Sequence, residues 1–351
     1  MRKSIFHEDW WLDALAPGSW HDVTCIRGGR VAGYLRFVER FEGRLKICEM
    51  PQITRFLGPV VMPQSGRTEA RNRAAHSIIA ELLERIEGYD HVQMTLDTGF
   101  TNLTPFVVSG YDVRAQPTFL LDCNRPTEEL WLGLRDKTRN VIRRARECLT
   151  VREIDDVNRF VDFYRANLGD TDSYFDLSLV APAFAAARVR NQCKILSAVD
   201  PNGNAQAEVL LVWDDKYVHY FLSTRDKKIA HNGAVSLLLW TGIELAQSRR
   251  LCFDFDGGIT TDERFRFAVA FGGELANRFE VIRSSTRYQV AHTLRRIPRA
   301  VLRRIIPRKW PQEAARVLAA ARGTIRARMI WASTIRAMTM RAVTLLKARA
   351  S

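Results

Sequence analysis

The chain has 351 residues, 46% of them hydrophobic and 26% charged, a length that suits two packed domains. Its net charge of +14 is concentrated at one end, because residues 291–351 contain 15 Lys and Arg and one acid, and the remainder is neutral. No run reaches the roughly 18 apolar residues of a membrane span and no signal-peptide core opens the sequence, which argues against a membrane-spanning or secreted protein. We therefore expect a cytoplasmic protein with reduced cysteines.

The first 122 residues predict one α/β unit. Gly28-Gly29 between two alternating runs predicts a hairpin, and apolar residues at helical spacing before Gly88 predict a long amphipathic helix. The predicted elements are a helix at 9–14, strands at 22–25, 31–39 and 45–49, a helix at 69–87, a strand at 91–96, a helix at 102–109 and a strand at 113–121.

A strongly basic helix is predicted at 134–147. Arg139, Arg143 and Arg146 stand at i, i+4 and i+7, so they share one helical face. One interpretation is a solvated linker between two domains. The other is an inter-domain helix that turns this face to a shared cleft, where Arg139 and Arg143 contact an anionic substrate.

The second half repeats a similar order of elements, which predicts an internal structural duplication. We place domains at 1–122, at 123–290 (including the basic helix) and at 291–351. The predicted elements of the second half are helices at 155–168 and 179–190, strands at 194–199, 207–213 and 217–223, a helix at 234–247, a strand at 251–255, a helix at 262–270 and a strand at 278–282.

A polar loop leads from the strand at 217–223 into the helix that begins at Ala234. The free amides of a helix N-terminus attract anions, and Gly233 permits close approach of a ligand. We expect Asn232, Gly233, Ala234 and Lys228 to contact a donor diphosphate. The alternative is an ordinary β–α loop that Asn232 caps.

Asp254 and Asp256 lie two residues apart at the end of an apolar strand, and His219 lies within the strand predicted at 217–223. Buried acids are costly unless they are paired or used, and ligands often bind at the carboxyl ends of strands. These three residues are our candidates for acid/base catalysis or for acceptor contacts. The alternatives are carboxylates that cap the next loop and a histidine of the core. Their spacing predicts no metal site.

Four segments in order resemble the FemAB-like, tandem GNAT-fold acyltransferases, which include a CelD-like branch. They are the closure of the first half at 105–122, the basic helix at 134–147, the loop–helix at 233–240, and 253–258 with Phe265 and 271–273. The resemblance implies an α/β (α+β) fold of two tandem GNAT-like domains with mixed central sheets, followed by a basic helical tail. Ala268 stands where relatives often carry a Lys, and 228–233 meets the acyl-CoA motif of simpler GNAT enzymes only in part.

The resemblance implies an N-acyltransferase without a permanently bound cofactor. Acyl-CoA would be its co-substrate and the amine of an amino sugar, or of a lipid-linked polysaccharide or cell-envelope precursor, its acceptor. The alternatives are an aminoacyl-tRNA-dependent peptidyltransferase and an inactive scaffold recruited to a membrane. The basic tail at 291–351 suits an anionic membrane surface at the inner face of the plasma membrane, and suits tRNA equally. A tail that docks on the body is the remaining alternative.

Overall fold

The computed structural model describes residues 4–168, 175–256 and 261–296. Its contacts form two compact units, residues 1–284 and residues 285–351. The first unit has two halves, which we define as residues 4–122 and 123–284. No helix of the described ranges is long and apolar enough to cross a bilayer.

The first half follows the predicted order of elements. Gly28 and Gly29 have φ of 57° and 73°, the left-handed pair that a tight hairpin needs. The elements are α1 (Asp9–Leu15), β1 (Trp20–Arg27), β2 (Arg30–Glu42), β3 (Leu45–Glu49), β4 (Val60–Val61), α2 (Thr68–Arg85), β5 (His91–Leu96), α3 (Thr104–Val108) and β6 (Asp112–Asp122).

The second half adds a short helix and an edge strand to the predicted elements. Its long apolar helix is buried on most sides, as its composition requires. The elements are α4 (Thr127–Gly133), α5 (Asp136–Cys148), β7 (Thr150–Ile154), α6 (Val157–Ala166), α7 (Val180–Arg188), β8 (Cys193–Val199), β9 (Ala205–Trp213), β10 (Tyr217–Arg225), α8 (Ala234–Ser248), β11 (Cys252–Asp254), α9 (Asp262–Ala270) and β12 (Glu274–Ser284).

One mixed sheet runs through both halves in the order β1-β2-β3-β5-β12-β6-β11-β10-β9-β8-β7, and β4 pairs with β2 beside it. Each half places its last strand in the other half's part of the sheet. β6 pairs antiparallel with β11, β12 pairs antiparallel with β5, and β6 and β12 pair with each other. The six central strands, β3-β5-β12-β6-β11-β10, have a parallel pair at each end (β3–β5 and β10–β11) and antiparallel pairs between them. Their pairing pattern is therefore the same when it is followed from β3 or from β10. The α/β fold of two similar halves is thereby confirmed.

Three clusters of buried side chains fill the first unit. One lies between α2 and the first half's strands, and a second surrounds α8. The third packs α6 and α7 of the second half against α1 and the segment at 53–57 of the first half. This third cluster, like the exchanged strands, joins the halves. In the second unit the structure describes helix α10 (Thr286–Arg296), and the tail predicted beyond it lies outside the described residues.

Candidate active site

Two parallel strands separate in the middle of the second half's sheet. β10 and β11 pair over Tyr217–His219 and Cys252–Asp254. β11 then ends, whereas β10 continues to Arg225 beside β9. We call the opening beyond this last pair the β10/β11 split. It begins at His219 and Asp254, so the parallel register brings two of the predicted site residues together.

Asp254 lies at the centre of a buried polar cluster. Its Oδ2 accepts from His219 Nδ1 at 3.0 Å and from Arg278 Nη2. Its Oδ1 accepts from Thr118 Oγ1 at 3.0 Å and from the Asp256 amide at 2.9 Å. Both carboxylate oxygens are therefore occupied, as a buried charge requires.

The charges of the cluster reinforce one another. Burial would raise the pKa of Asp254, but Arg278 and His219 hold it well below its usual range. Burial would lower the pKa of His219, but Asp214 and Asp254 raise it to about 9. His219 is thus an imidazolium at neutral pH, unsuited to accept a proton there. Its Nε2 lies 3.9 Å from Asp214 Oδ2.

Asp256 occupies the end of the cluster nearest the split. Its Oδ1 lies 3.4 Å from Arg278 Nη1 and its Oδ2 lies 2.5 Å from Arg55 Nε. Burial raises its pKa, against the opposing effect of Arg55 and Arg278. Its φ of 60° is left-handed, which costs free energy in a residue with a side chain. Of the three predicted acid/base residues, Asp256 alone contacts a partly exposed partner.

The predicted donor loop forms a pocket at the start of α8. Asn232 Oδ1 accepts from the Ala234 amide, the first of the helix, at 3.1 Å, and Gly233 between them is the N-cap residue. Gly233 has φ of 82°, and a Cβ there would lie 2.8 Å from Val141 Cγ1 of α5. The pocket is lined by residues 206, 225, 226 and 229–235, so Arg225 lines it whereas Lys228 does not.

The structure does not bring Arg139 and Arg143 to the aspartates. Arg139 Nη1 donates to the carbonyls of Leu132 and Leu134, both at 2.8 Å, and Nη2 pairs with Asp136. Arg143 stacks 5.5 Å from the Trp131 ring. Arg139 and Arg143 of α5 therefore lie against the C-terminal end of α4, which corrects the expectation that they turn to a shared cleft.

The cations of the cluster were not predicted from the sequence. Arg278 lies on β12, the exchanged strand, and Arg55 lies in the first half between β3 and β4. The available signal was the pair of acids in an apolar strand, since buried carboxylates need cations. This signal does not identify which of the 53 Lys and Arg residues pair with the two acids. Among the described residues no group of His, Cys, Asp and Glu side chains could hold a metal ion.

Part of the chain matches a known protein family. A family model described as an acetyltransferase (GNAT) domain matches residues 134–267, which include β10, β11, the donor loop and Asp256. No protein of curated function matches the chain significantly.

Solved structures share the fold at low sequence identity. FemX matches with a TM-score of 0.61 and 13% identity, over 80% of this chain and 93% of FemX. The C-terminal domain of a protein assigned as a lysylphosphatidylglycerol synthetase from Agrobacterium fabrum matches with a TM-score of 0.52 and 14% identity, over 82% of this chain and 92% of that one. A tandem GNAT protein from the clavulanic acid biosynthesis pathway matches with a TM-score of 0.49 and 14% identity, over 78% and 86%. Residues 134–267 therefore match a GNAT-type acetyltransferase domain, within a chain whose fold is similar to that of FemX.

Proposed function

We propose that the protein transfers an acyl group, acetyl in the simplest case, from acyl-CoA to the amine of an amino sugar or a polysaccharide or cell-envelope precursor. The observation that carries this proposal is the β10/β11 split with the α8 pocket at one end and Asp256 at the other, inside the matched GNAT domain. An extended donor could lie along β10 between these two points. The resemblance to the CelD-like branch supports the sugar acceptor.

The first amides of α8, which border the α8 pocket, suit the diphosphate of the donor. The first amides of a helix have no intrahelical acceptor, and Asn232 engages that of Ala234, which leaves the next amides available to phosphate oxygens. Arg225 lines the pocket and supplies a cation beside the helix dipole. Gly233 lets α8 approach α5 closely at this point.

The reaction needs an amine and a thioester carbonyl held together, with a group that accepts a proton. The amine nitrogen forms a bond to the carbonyl carbon, and collapse of the intermediate breaks the C–S bond and releases the CoA thiolate. The surplus proton of the attacking nitrogen passes to Asp256 and from there to the thiolate or to solvent. His219 and Asp254 hold this carboxylate in place rather than exchanging protons themselves.

Calorimetry with acetyl-CoA tests the donor directly. We expect binding with a Kd on the order of 1–100 μM. Arg225→Ala, which removes the cation of the pocket, should weaken binding about fivefold. Lys194→Ala is the matched control, because Lys194 lies on β8 and pairs with Glu153 outside the pocket. Absence of acetyl-CoA binding in the wild type would refute an acyl-CoA donor.

A second candidate is aminoacyl transfer from aminoacyl-tRNA. The observation that favours it is the shared fold with FemX and with the domain of the lysylphosphatidylglycerol synthetase, both above a TM-score of 0.5. Ala268, which replaces the family's Lys, is buried against Phe271 and carries no charge to the site. Binding of aminoacyl-tRNA without binding of acetyl-CoA, measured side by side, would favour this candidate.

A further inference from the structure

Arg55 enters the site from the first half on a firmly held segment. The segment lies between β3 and β4 and contains three anchors to the first half. Thr54 Oγ1 accepts from Trp11 Nε1 at 3.1 Å, the Leu57 amide donates to the Thr95 carbonyl at 2.9 Å, and the Gly58 carbonyl lies 3.1 Å from His7 Nε2. These bonds anchor the backbone around Arg55 independently of the aspartate that its side chain contacts.

Three backbone irregularities converge on this arginine. Ile53, two residues before it, has φ of 56°, which is unusual for a β-branched residue. Its partner Asp256 has φ of 60°. The third is a register shift between β9 and β10 at Phe221, whose carbonyl accepts from Arg55 Nη2. Strained conformations persist where the surrounding structure enforces them, and they cluster at functional sites.

Arg55 connects the two sides of the split. Its Nε pairs with Asp256 at 2.5 Å, and its guanidinium carbon lies 4.6 Å from the centre of the Phe221 ring on β10. Its side chain is 25% exposed, compared with 5% for Arg278 and 4% for Asp256. Solvent, and hence a substrate, can approach the aspartate along Arg55 but not along Arg278.

We infer that Arg55 is a positioning residue, which holds the Asp256 carboxylate and the Phe221 bulge of β10 in register at the open end of the split. The first half thereby completes an acyl-transfer site that lies in the second half. The inference rests on the proposed function, in which Asp256 accepts the proton of the acceptor amine. It assigns a role to a residue outside the matched GNAT domain.

Arg55→Ala and Arg55→Lys test the inference, with Arg73→Ala as control because Arg73 is 75% exposed on α2 and pairs with Glu69. The assay follows release of CoA thiol from acetyl-CoA with D-glucosamine as the probe acceptor. Arg55→Ala should lower kcat about 10- to 100-fold and change KM for acetyl-CoA less than threefold. Arg55→Lys, which keeps the charge, should recover part of the loss, and so should guanidinium added to Arg55→Ala.

The pH profile separates positioning from general damage. Arg55 opposes the rise of the Asp256 pKa, so its removal raises that pKa further. Asp256 must be ionised to accept a proton, so the acidic limb of kcat/KM should move to higher pH in Arg55→Ala. Wild-type kcat together with an unmoved limb would overturn the inference.

An NMR titration of the Asp256 carboxyl tests the inference without depending on enzyme turnover. In protein labelled with ¹³C at aspartate carboxyls, Asp256→Asn identifies the Asp256 signal, whose titration should move to higher pH in Arg55→Ala and stay in Arg73→Ala. If the wild type shows no turnover, the proposed function fails while this titration still measures the Arg55–Asp256 link. An unmoved titration in folded Arg55→Ala would refute that link, whereas Arg55→Lys, which keeps the charge, should shift the titration less than Arg55→Ala.

Discussion

At the scale of single residues, the candidate site contains residues that hold its geometry and one residue that we propose takes part in the reaction. Asp254 has four hydrogen-bond donors, and His219 is charged beside two carboxylates. Removing a partner from such a buried network leaves an uncompensated charge, which is strongly destabilising. We therefore assign Asp254 and His219 to holding the geometry, and Asp256 to the chemistry at the split.

His219 should make stability depend on pH. Its pKa is about 9 in the folded protein and 6.5 ordinarily, so the folded state binds more protons between these values. Its contribution is complete below pH 6.5 and is lost as pH rises through about 9, a change on the order of 3 kcal/mol in the free energy of unfolding. Urea unfolding from pH 6 to 10 should show this fall in the wild type.

The matched variants for that measurement are His219→Gln and His231→Gln. His219→Gln cannot gain a proton, so its stability should be lower at pH 6 and should fall less towards pH 10. His231 is exposed in the donor loop, and His231→Gln should follow the wild-type curve. Parallel curves for the wild type and His219→Gln would show that the imidazole is not charged in the folded state.

The sequence identified part of this site. Period two places Asp254 and Asp256 on one face of their strand, and an acid at an apolar strand end indicates a partner. Arg278 and Arg55 could not be found in this way, because their approach depends on an exchanged strand and on a loop strained at Ile53. Such contacts are set by tertiary structure, which local patterns do not encode.

At the scale of elements, α5 packs closely against the start of α8, where the α8 pocket lies. Gly233 begins α8 in a left-handed conformation directly against Val141 and Ala145 of α5. Both helices were predicted from the sequence. Gly233 was expected to permit close approach of a ligand, whereas in the structure its close neighbour is α5. The strand β7 was missed because its five residues are largely polar, as edge strands often are.

Gly233→Ala tests this contact. The new Cβ would lie 2.8 Å from Val141 Cγ1 and 3.0 Å from the Val141 carbonyl oxygen, in addition to the left-handed φ. We expect a loss of about 2 kcal/mol or more in the free energy of unfolding, together with weaker acetyl-CoA binding. Thermal unfolding and calorimetry on the same samples measure both.

Gly203→Ala separates conformational strain from crowding. Gly203 has φ of 86°, but a Cβ added there would have no neighbour within 4 Å, so this variant should lose only about 1 kcal/mol. Equal losses in the free energy of unfolding for Gly233→Ala and Gly203→Ala would mean that α5 can shift to accommodate the added methyl group. In that case the close packing of α5 on α8 would not determine the pocket.

At the scale of the whole first unit, the exchanged strands explain why two similar halves form one compact unit. β12 is the last strand of the second half, yet Val281 on it is fully buried in the core of the first half. β6 closes the first half and lies between β12 and β11. A site built from Arg55, Asp256 and Arg278 is thus held by strands that neither half could supply alone.

This arrangement predicts that both halves of the first unit unfold together. Val281→Ala removes two buried methyl groups from the first half's core, which should cost about 2 kcal/mol in the free energy of unfolding. Because β12 pairs with β5 and β6, and β6 with β11, the loss should lower hydrogen-exchange protection equally in β5 and in β10. Leu275→Ala on the same strand is the control, since Leu275 is 59% exposed. Loss of protection in β5 alone, with β10 unchanged, would show that the halves open independently and that the exchanged strands do not couple them.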